Sequence, residues 1–215
     1  MSSEDLLREI GEEISLCERC GLCKNRKNAV PGAGPANAEI LFIGEGPGHH
    51  ENEQGLPFVG NAGKFLSSML QAAGYDRDSV FITNVVKCRP PSNRDPLPEE
   101  LIACAEYLER QIEVITPIII VTLGRFSMAR YYENARISTI HGKPKWAAGR
   151  LIIPMFHPAA ALHQPALRKT VEEDFSLLPH WIEKVKEKKK KEALLPVQSS
   201  QEEDGGQPEQ LSLFG

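Results

Sequence analysis

The chain has 215 residues, 41% of them hydrophobic, enough to bury one substantial core and only one. No apolar run approaches the ~18 residues of a membrane span, and the acidic start MSSEDLLREIGEE is no secretory signal, so a soluble, cytoplasmic protein is expected. The net charge of -4 conceals a basic body: residues 1–16 carry five acids against Arg8, residues 192–215 carry five acids and no Lys or Arg, and the stretch between them holds 24 basic and 19 acidic residues, which is compatible with a DNA-binding face.

In chain order, a short helix is expected over residues 4–16 behind a Ser2-Ser3 cap, delivering Cys17 and Cys20 into a loop. Five cysteines in a cytosolic chain point to metal ligands or packed thiols rather than disulfides. Cys17-x-x-Cys20, with Cys23 behind it and Cys88 and Cys104 far downstream, is poorly spaced for a zinc ribbon. It suits an iron-sulfur cluster drawn from separate elements. A core thiol remains open for Cys104, which shares a helical face with Leu101, Leu108 and Ile112.

Residues 24–38 read as irregular. Ile40 to Ile43 form an unbroken apolar run, a strand buried on both faces, and Gly44, Gly46, Pro47 and Gly48 then turn the chain sharply with bare amides. Ligands bind beyond such strand ends in open α/β sheets. The dinucleotide pattern fails because His49 stands where a third glycine belongs, and Gly63-Lys64 lacks the Ser or Thr of a P-loop. His49-x-Glu51 lacks the Pro-Cys-x-x-Cys of a zinc deaminase. Taken alone, the segment reads by default as a structural turn without a ligand, and Phe58 in the following loop equally as a packing plug.

A helix follows over residues 61–73, capped by Asn61 and closed by Gly74, then a second strand over 80–84 ending in Asn84. Residues 85–96 form a loop carrying Lys87, Cys88, Arg89 and Arg94. A long amphipathic helix spans 98–115, a third strand 118–123, a short helix 125–132, and a basic excursion 137–150. A fourth strand over 151–156 ends at His157-Pro158, and a last helix runs from Leu167 into the lysines of 184–191. The alternation implies a three-layer α/β/α domain with a central, mostly parallel four-stranded sheet, residues 1–182 making the domain. The 44–48 turn, Asn84 and His157 then share one edge of the sheet.

Cys17-x-x-Cys20 with Cys88 and Cys104, the turn Gly44-Glu45-Gly46-Pro47-Gly48, Phe58, Thr83-Asn84-Val85-Val86-Lys87-Cys88-Arg89-Pro90-Pro91 and His157-Pro158-Ala159-Ala160-Ala161-Leu162 together resemble the family 4, iron-sulfur uracil-DNA glycosylases. The resemblance covers residues 17–178. It implies a monofunctional hydrolase of base excision repair that flips uracil out of single- or double-stranded DNA, cleaves its N-glycosidic bond and leaves an abasic site. The loop from Cys88 to Arg94 lacks the histidine of relatives that trap the abasic site covalently.

On this resemblance Phe58 stacks on the base, Asn84 reads its edge, His157 stabilises the oxygen that takes up charge, and Gly44, Glu45 and Gly46 complete the uracil site. Glu45 positions water or steadies the cationic sugar, with Glu51 as competitor. Cys17, Cys20, Cys88 and Cys104 bind a [4Fe-4S] cluster, leaving Cys23 spare. Leu162 fills the vacated stack, and Lys87, Arg89, Arg168 and Lys169 meet phosphates. Residues 183–215 comprise the basic helix end and, over 192–215, an acidic stretch rich in Gln, Gly, Pro and Ser, expected to be disordered. Its Gln210-Leu211-Ser212-Leu213-Phe214 resembles the peptide with which bacterial repair proteins bind the DNA sliding clamp. A monomer is expected. Two rival readings remain at this point: a metal-stapled DNA-binding module without catalysis, and an enzyme acting on free nucleotides.

Overall fold

The computed structural model describes residues 1–194. Ser2 caps α1 (Ser3–Leu16) through a capping box with Asp5. β1 (Ile40–Gly44) follows the irregular segment, and its turn leads into a short α2 (His49–Gln54). Next come α3 (Asn61–Ala72), β2 (Phe81–Asn84), α4 (Pro98–Ile115), β3 (Ile119–Leu123), α5 (Arg125–Ala129) and α6 (Ile137–Ile140). The hairpin β4 (Lys145–Ala147) and β5 (Arg150–Met155) precedes α7 (Pro158–His163), α8 (Arg168–Ser176) and α9 (Leu178–Leu194).

The sheet has five strands in the order β2-β1-β3-β5-β4, all parallel except the β4 edge. The four expected strands are its parallel part. β4 lies in the basic excursion, where three residues, two of them exposed, offered no apolar run to mark a strand. Alternate side chains of β1 enter two cores: Ile40 and Phe42 pack with α3, α8 and α9, and Leu41 and Ile43 with α4. This is the three-layer arrangement expected for an apolar parallel sheet.

Smaller departures have local causes. Gly60, not Asn61, is the N-cap of α3. The last helix is broken between Ser176 and Leu178, so α8 and α9 are separate. α9 runs past residue 182, where a basic helix end was expected, and stays helical through Leu194, three residues into the stretch expected to be disordered. The remaining expected tail and its clamp-like motif lie outside the described residues. Among the described residues no helix is long and apolar enough to cross a membrane.

Parallel strand order places the strand carboxyl ends together. Gly44 pairs with Asn84 at the ends of β1 and β2, and His157 emerges two residues after β5. Order reverses at β1: α3, which follows it, packs on one face of the sheet, α4 and α5, which follow β2 and β3, pack on the other, and a cleft opens beyond it.

Candidate active site and cysteine pocket

The cleft measures about 370 Å³ and is lined by Glu45, Gly46, Glu51, Phe58, Asn84 and His157, among others. Gly44, next to the cleft residue Glu45, makes room for two of these side chains. A Cβ there would stand 2.3 Å from Asn84 Oδ1 and 2.8 Å from the Phe58 ring, so this glycine is a condition of bringing those two side chains together.

Phe58 is buried, in the left-handed region at φ 51, a strained conformation for an aromatic residue. Two features hold it there. Gly63 leaves room for the Phe58 carbonyl, which would lie 1.7 Å from any Cβ at that position. Glu51 accepts hydrogen bonds from the amides of Val59 and Gly60, both at 2.9 Å, and from Gly48 at 3.1 Å. One carboxylate therefore ties the glycine turn to the phenylalanine loop.

Asn84 is 1% exposed, and its Oδ1 is a buried acceptor with no hydrogen-bond partner. Such an orphan is costly and marks a place for a ligand donor. Across the cleft the His157 ring sits 5.5 Å from the Phe58 ring, inclined by 29°. Burial drives the imidazole down to about 4, against a weaker upward pull from Glu51, so it is neutral at physiological pH. Its Nδ1 accepts from the Ala159 amide at 3.1 Å, which leaves the proton on Nε2. His157 is thus a neutral donor aimed by its own helix start.

Glu45 differs from Glu51. Burial, followed by the Asp95 carboxylate, holds its pKa above the ordinary carboxylate value, with Arg125 pulling the other way. Its carboxylate makes no hydrogen bond among the described residues, whereas that of Glu51 is committed to three amides. Glu45 is the carboxylate free to work in the cleft.

All five cysteines line a second pocket, walled by Ile14, Leu22, Arg26, Lys87 and Tyr107. Donors point at the sulfurs: the Lys87 amide to Cys104 Sγ at 3.3 Å, Arg26 to Cys88 Sγ at 3.4 Å and the Arg19 amide to Cys17 Sγ at 3.5 Å. Burial raises Cys20 and Cys88 and pushes Cys104 up to about 11. Among the described residues no three Cys, His, Asp or Glu side chains close on a single metal ion.

The uracil-DNA glycosylase superfamily model matches residues 31–177, which hold the turn, Phe58, Asn84 and His157. The chain belongs to this superfamily. Relatives named type-4 uracil-DNA glycosylase include those of Sulfurisphaera tokodaii, 51% identical over 80% of this chain and 82% of the relative, and Archaeoglobus fulgidus, 47% identical over 79% and 89%. The Thermotoga maritima type-4 uracil-DNA glycosylase is 42% identical over 84% of this chain and 97% of its own length. Within the superfamily the chain belongs to the type-4 uracil-DNA glycosylases.

For a uracil-DNA glycosylase, the remaining expected residues are distributed unevenly. Leu162 is 44% exposed on α7, next to the cleft residues Ala159 and His163. Arg89 bonds Oδ1 of the cleft residue Asn93 at 2.8 Å and lies 3.3 Å from His49. Arg168 and Lys169 are exposed at the start of α8, alongside Glu172 and Glu173.

Lys87 is a correction. It is 1% exposed, and its ammonium bonds Thr83 Oγ1 at 2.6 Å, Gln111 Oε1 at 2.7 Å and the Asn84 carbonyl at 2.9 Å. Burial drives it down to about 7, and it reaches no phosphate. Sequence reasoning also gave no role to Gly63 and left Glu51 open. A glutamate three residues beyond Gly48, followed by Phe58-Val59-Gly60, is a capping-box spacing that could have marked it.

Proposed function

We propose that the chain excises uracil from DNA in base excision repair, with Phe58, Asn84 and His157 enclosing one extruded base. The supporting observation is the orphaned Asn84 Oδ1 inside a cleft whose other walls are an aromatic ring and a neutral imidazole donor. Uracil N3–H supplies the missing donor, and the Asn84 amide N–H donates to O4. Cytosine presents an acceptor at N3 and a donor at C4, leaving both groups unpaired in a buried site. Extrusion costs roughly a few kcal/mol, offset by stacking on Phe58.

Scission breaks the C1′–N1 bond, and the electron pair departs with the base, concentrating charge on O2. His157 Nε2–H donates to that oxygen without needing to be a cation. Such a preorganised donor is worth about 2.7 to 4 kcal/mol. Glu45 directs a water onto C1′ and steadies the positive sugar, and the water oxygen ends as the C1′ hydroxyl of the abasic site.

Cys17, Cys20, Cys88 and Cys104 would hold a [4Fe-4S] cluster. The fit rests on a thiol-lined pocket with N–H donors directed at three sulfurs, and on burial that makes isolated thiolates unfavourable unless a cationic group compensates them. When bound, the cluster ties the cysteine loop to the segment after β2 and supplies no step in hydrolysis. Residues 1–182 carry the catalytic apparatus. Leu162 fills the gap left by the base, and Arg89, Arg168 and Lys169 meet phosphates. Gln210, Leu211, Leu213 and Phe214 form a linear motif for the DNA sliding clamp.

An oligonucleotide with a single deoxyuridine, incubated with the protein and then cleaved with alkali, tests the reading. Strand scission at the uracil position is expected, and an intact strand refutes it. Asn84→Ala should lower kcat/KM by on the order of 10⁴. Clamp binding that survives deletion of residues 210–215 refutes the partner assignment.

A further inference from the structure

Among the described residues, Lys87 is the one buried residue whose polar atoms reach from the base-reading asparagine to the cysteine pocket. Its amide donates to Cys104 Sγ, its carbonyl accepts from Val30 N at 2.7 Å, and the three N–H bonds of its ammonium end on Thr83, Asn84 and Gln111. All three acceptors, two side chains and one backbone carbonyl, are neutral. Gln111 lies two turns beyond Cys104 on α4, and its Nε2 donates to the Pro31 carbonyl at 2.9 Å. The Thr83 hydroxyl donates to the same carbonyl at 2.7 Å, which leaves its lone pairs for the ammonium.

Burying an ammonium among neutral acceptors is costly, and an apolar side chain of similar length would fill the space without that penalty. What the ammonium adds is geometry. It clamps the carbonyl of Asn84 to α4 through Gln111, which with Thr83 also holds the Pro31 carbonyl, while the next residue, Cys88, lines the pocket. The side chain of Asn84 starts from that clamped backbone and must meet a ring edge at hydrogen-bond distance. Thiolates gathered in the pocket would supply the negative charge that the ammonium's own acceptors lack, with Arg26 at Cys88 as a second cation.

We propose that Lys87 is a positioning residue for uracil recognition, a strut that sets the Asn84 amide from the wall of the cysteine pocket. This rests on Asn84 reading the base.

The experiment compares full-length wild type, Lys87→Met and Gln111→Met. Visible absorbance and iron content report the pocket, Ki for free uracil and kcat/KM on deoxyuridine DNA report recognition, and the ¹⁵N shift of the Asn84 side-chain amide reports its position. Lys87→Met is expected to lose on the order of 10²-fold in kcat/KM, with weaker uracil inhibition and a shifted Asn84 resonance. Gln111→Met removes one acceptor on α4 and touches neither Asn84 nor a cysteine. It should keep the absorbance and move the same readouts in the same direction, which keeps the test decisive if Lys87→Met fails to fold. Wild-type kcat/KM and an unmoved Asn84 resonance in a folded variant would overturn the strut. A wild-type protein that excises nothing would instead overturn the functional reading.

Discussion

The rings of Phe58 and His157 are 5.5 Å apart at their centroids and inclined by 29°. Contact distances of about 3.5 Å on each side would require about 7 Å to admit a third ring between them. The pyrimidine therefore cannot be sandwiched. In the proposed complex it lies on the remaining surface of Phe58, and His157 meets it at an edge through a hydrogen bond to O2.

His157→Ala should lower kcat by about 10² to 10³ while leaving affinity for uracil-containing DNA largely intact. The imidazole is neutral down to about 4, so kcat should show no inflection from it between pH 5 and 8. Its folded pKa lies below the unfolded 6.5, so the stability it contributes is present above that value and is lost as pH falls from 6.5 towards 4. ¹⁵N spectra of labelled histidine at pH 6 should show the proton on Nε2.

Gly44→Ala should fold, at a cost of about 1 to 3 kcal/mol for overpacking, and fail to bind uracil. The added methyl needs the space held by Asn84 Oδ1 and the Phe58 ring. Thermal denaturation together with uracil inhibition separates the two effects.

Glu45→Gln should reduce kcat by about 10² and raise the melting temperature. The folded carboxyl binds its proton more tightly than the unfolded one, so ionising it as pH rises costs stability, and the amide removes that cost. In the wild type, kcat should fall as pH drops through this raised value, a limb that is absent in the glutamine variant.

Cys20→Ser should abolish the visible absorbance of the purified protein, and Cys23→Ser should retain it. All five thiols line the pocket, so their positions alone do not single out four. Iron analysis of both variants decides the ligand set.

Leu162→Ala should slow excision from duplex DNA by on the order of tenfold and leave single-stranded substrate nearly untouched, because only a duplex presents a vacated stack to fill. Rates on matched single- and double-stranded oligonucleotides check this.

Much of the site was legible because it sits where apolar runs end. Gly44, Asn84 and His157 each follow a recognisable strand, and parallel pairing then brings those ends together. Lys87 was misread because a lysine among arginines and prolines looks like surface, and its burial depends on Gln111 and Thr83 arriving from other segments. Spacing separates Glu45 from Glu51 only in part: the capping-box offset marks the bond from Gly48, while the bonds from Val59 and Gly60 that commit Glu51 are supplied by the folded loop. β4 is too short and too exposed to leave an apolar signature.

Asn84 closes a strand in which Ile82 stands opposite Phe42 of β1 and exchanges both of its backbone hydrogen bonds with Ala33 on the other side. The proposed reader of the base is therefore anchored on paired backbone rather than on a loop. On heating, such a protein should stop working before it begins to make mistakes.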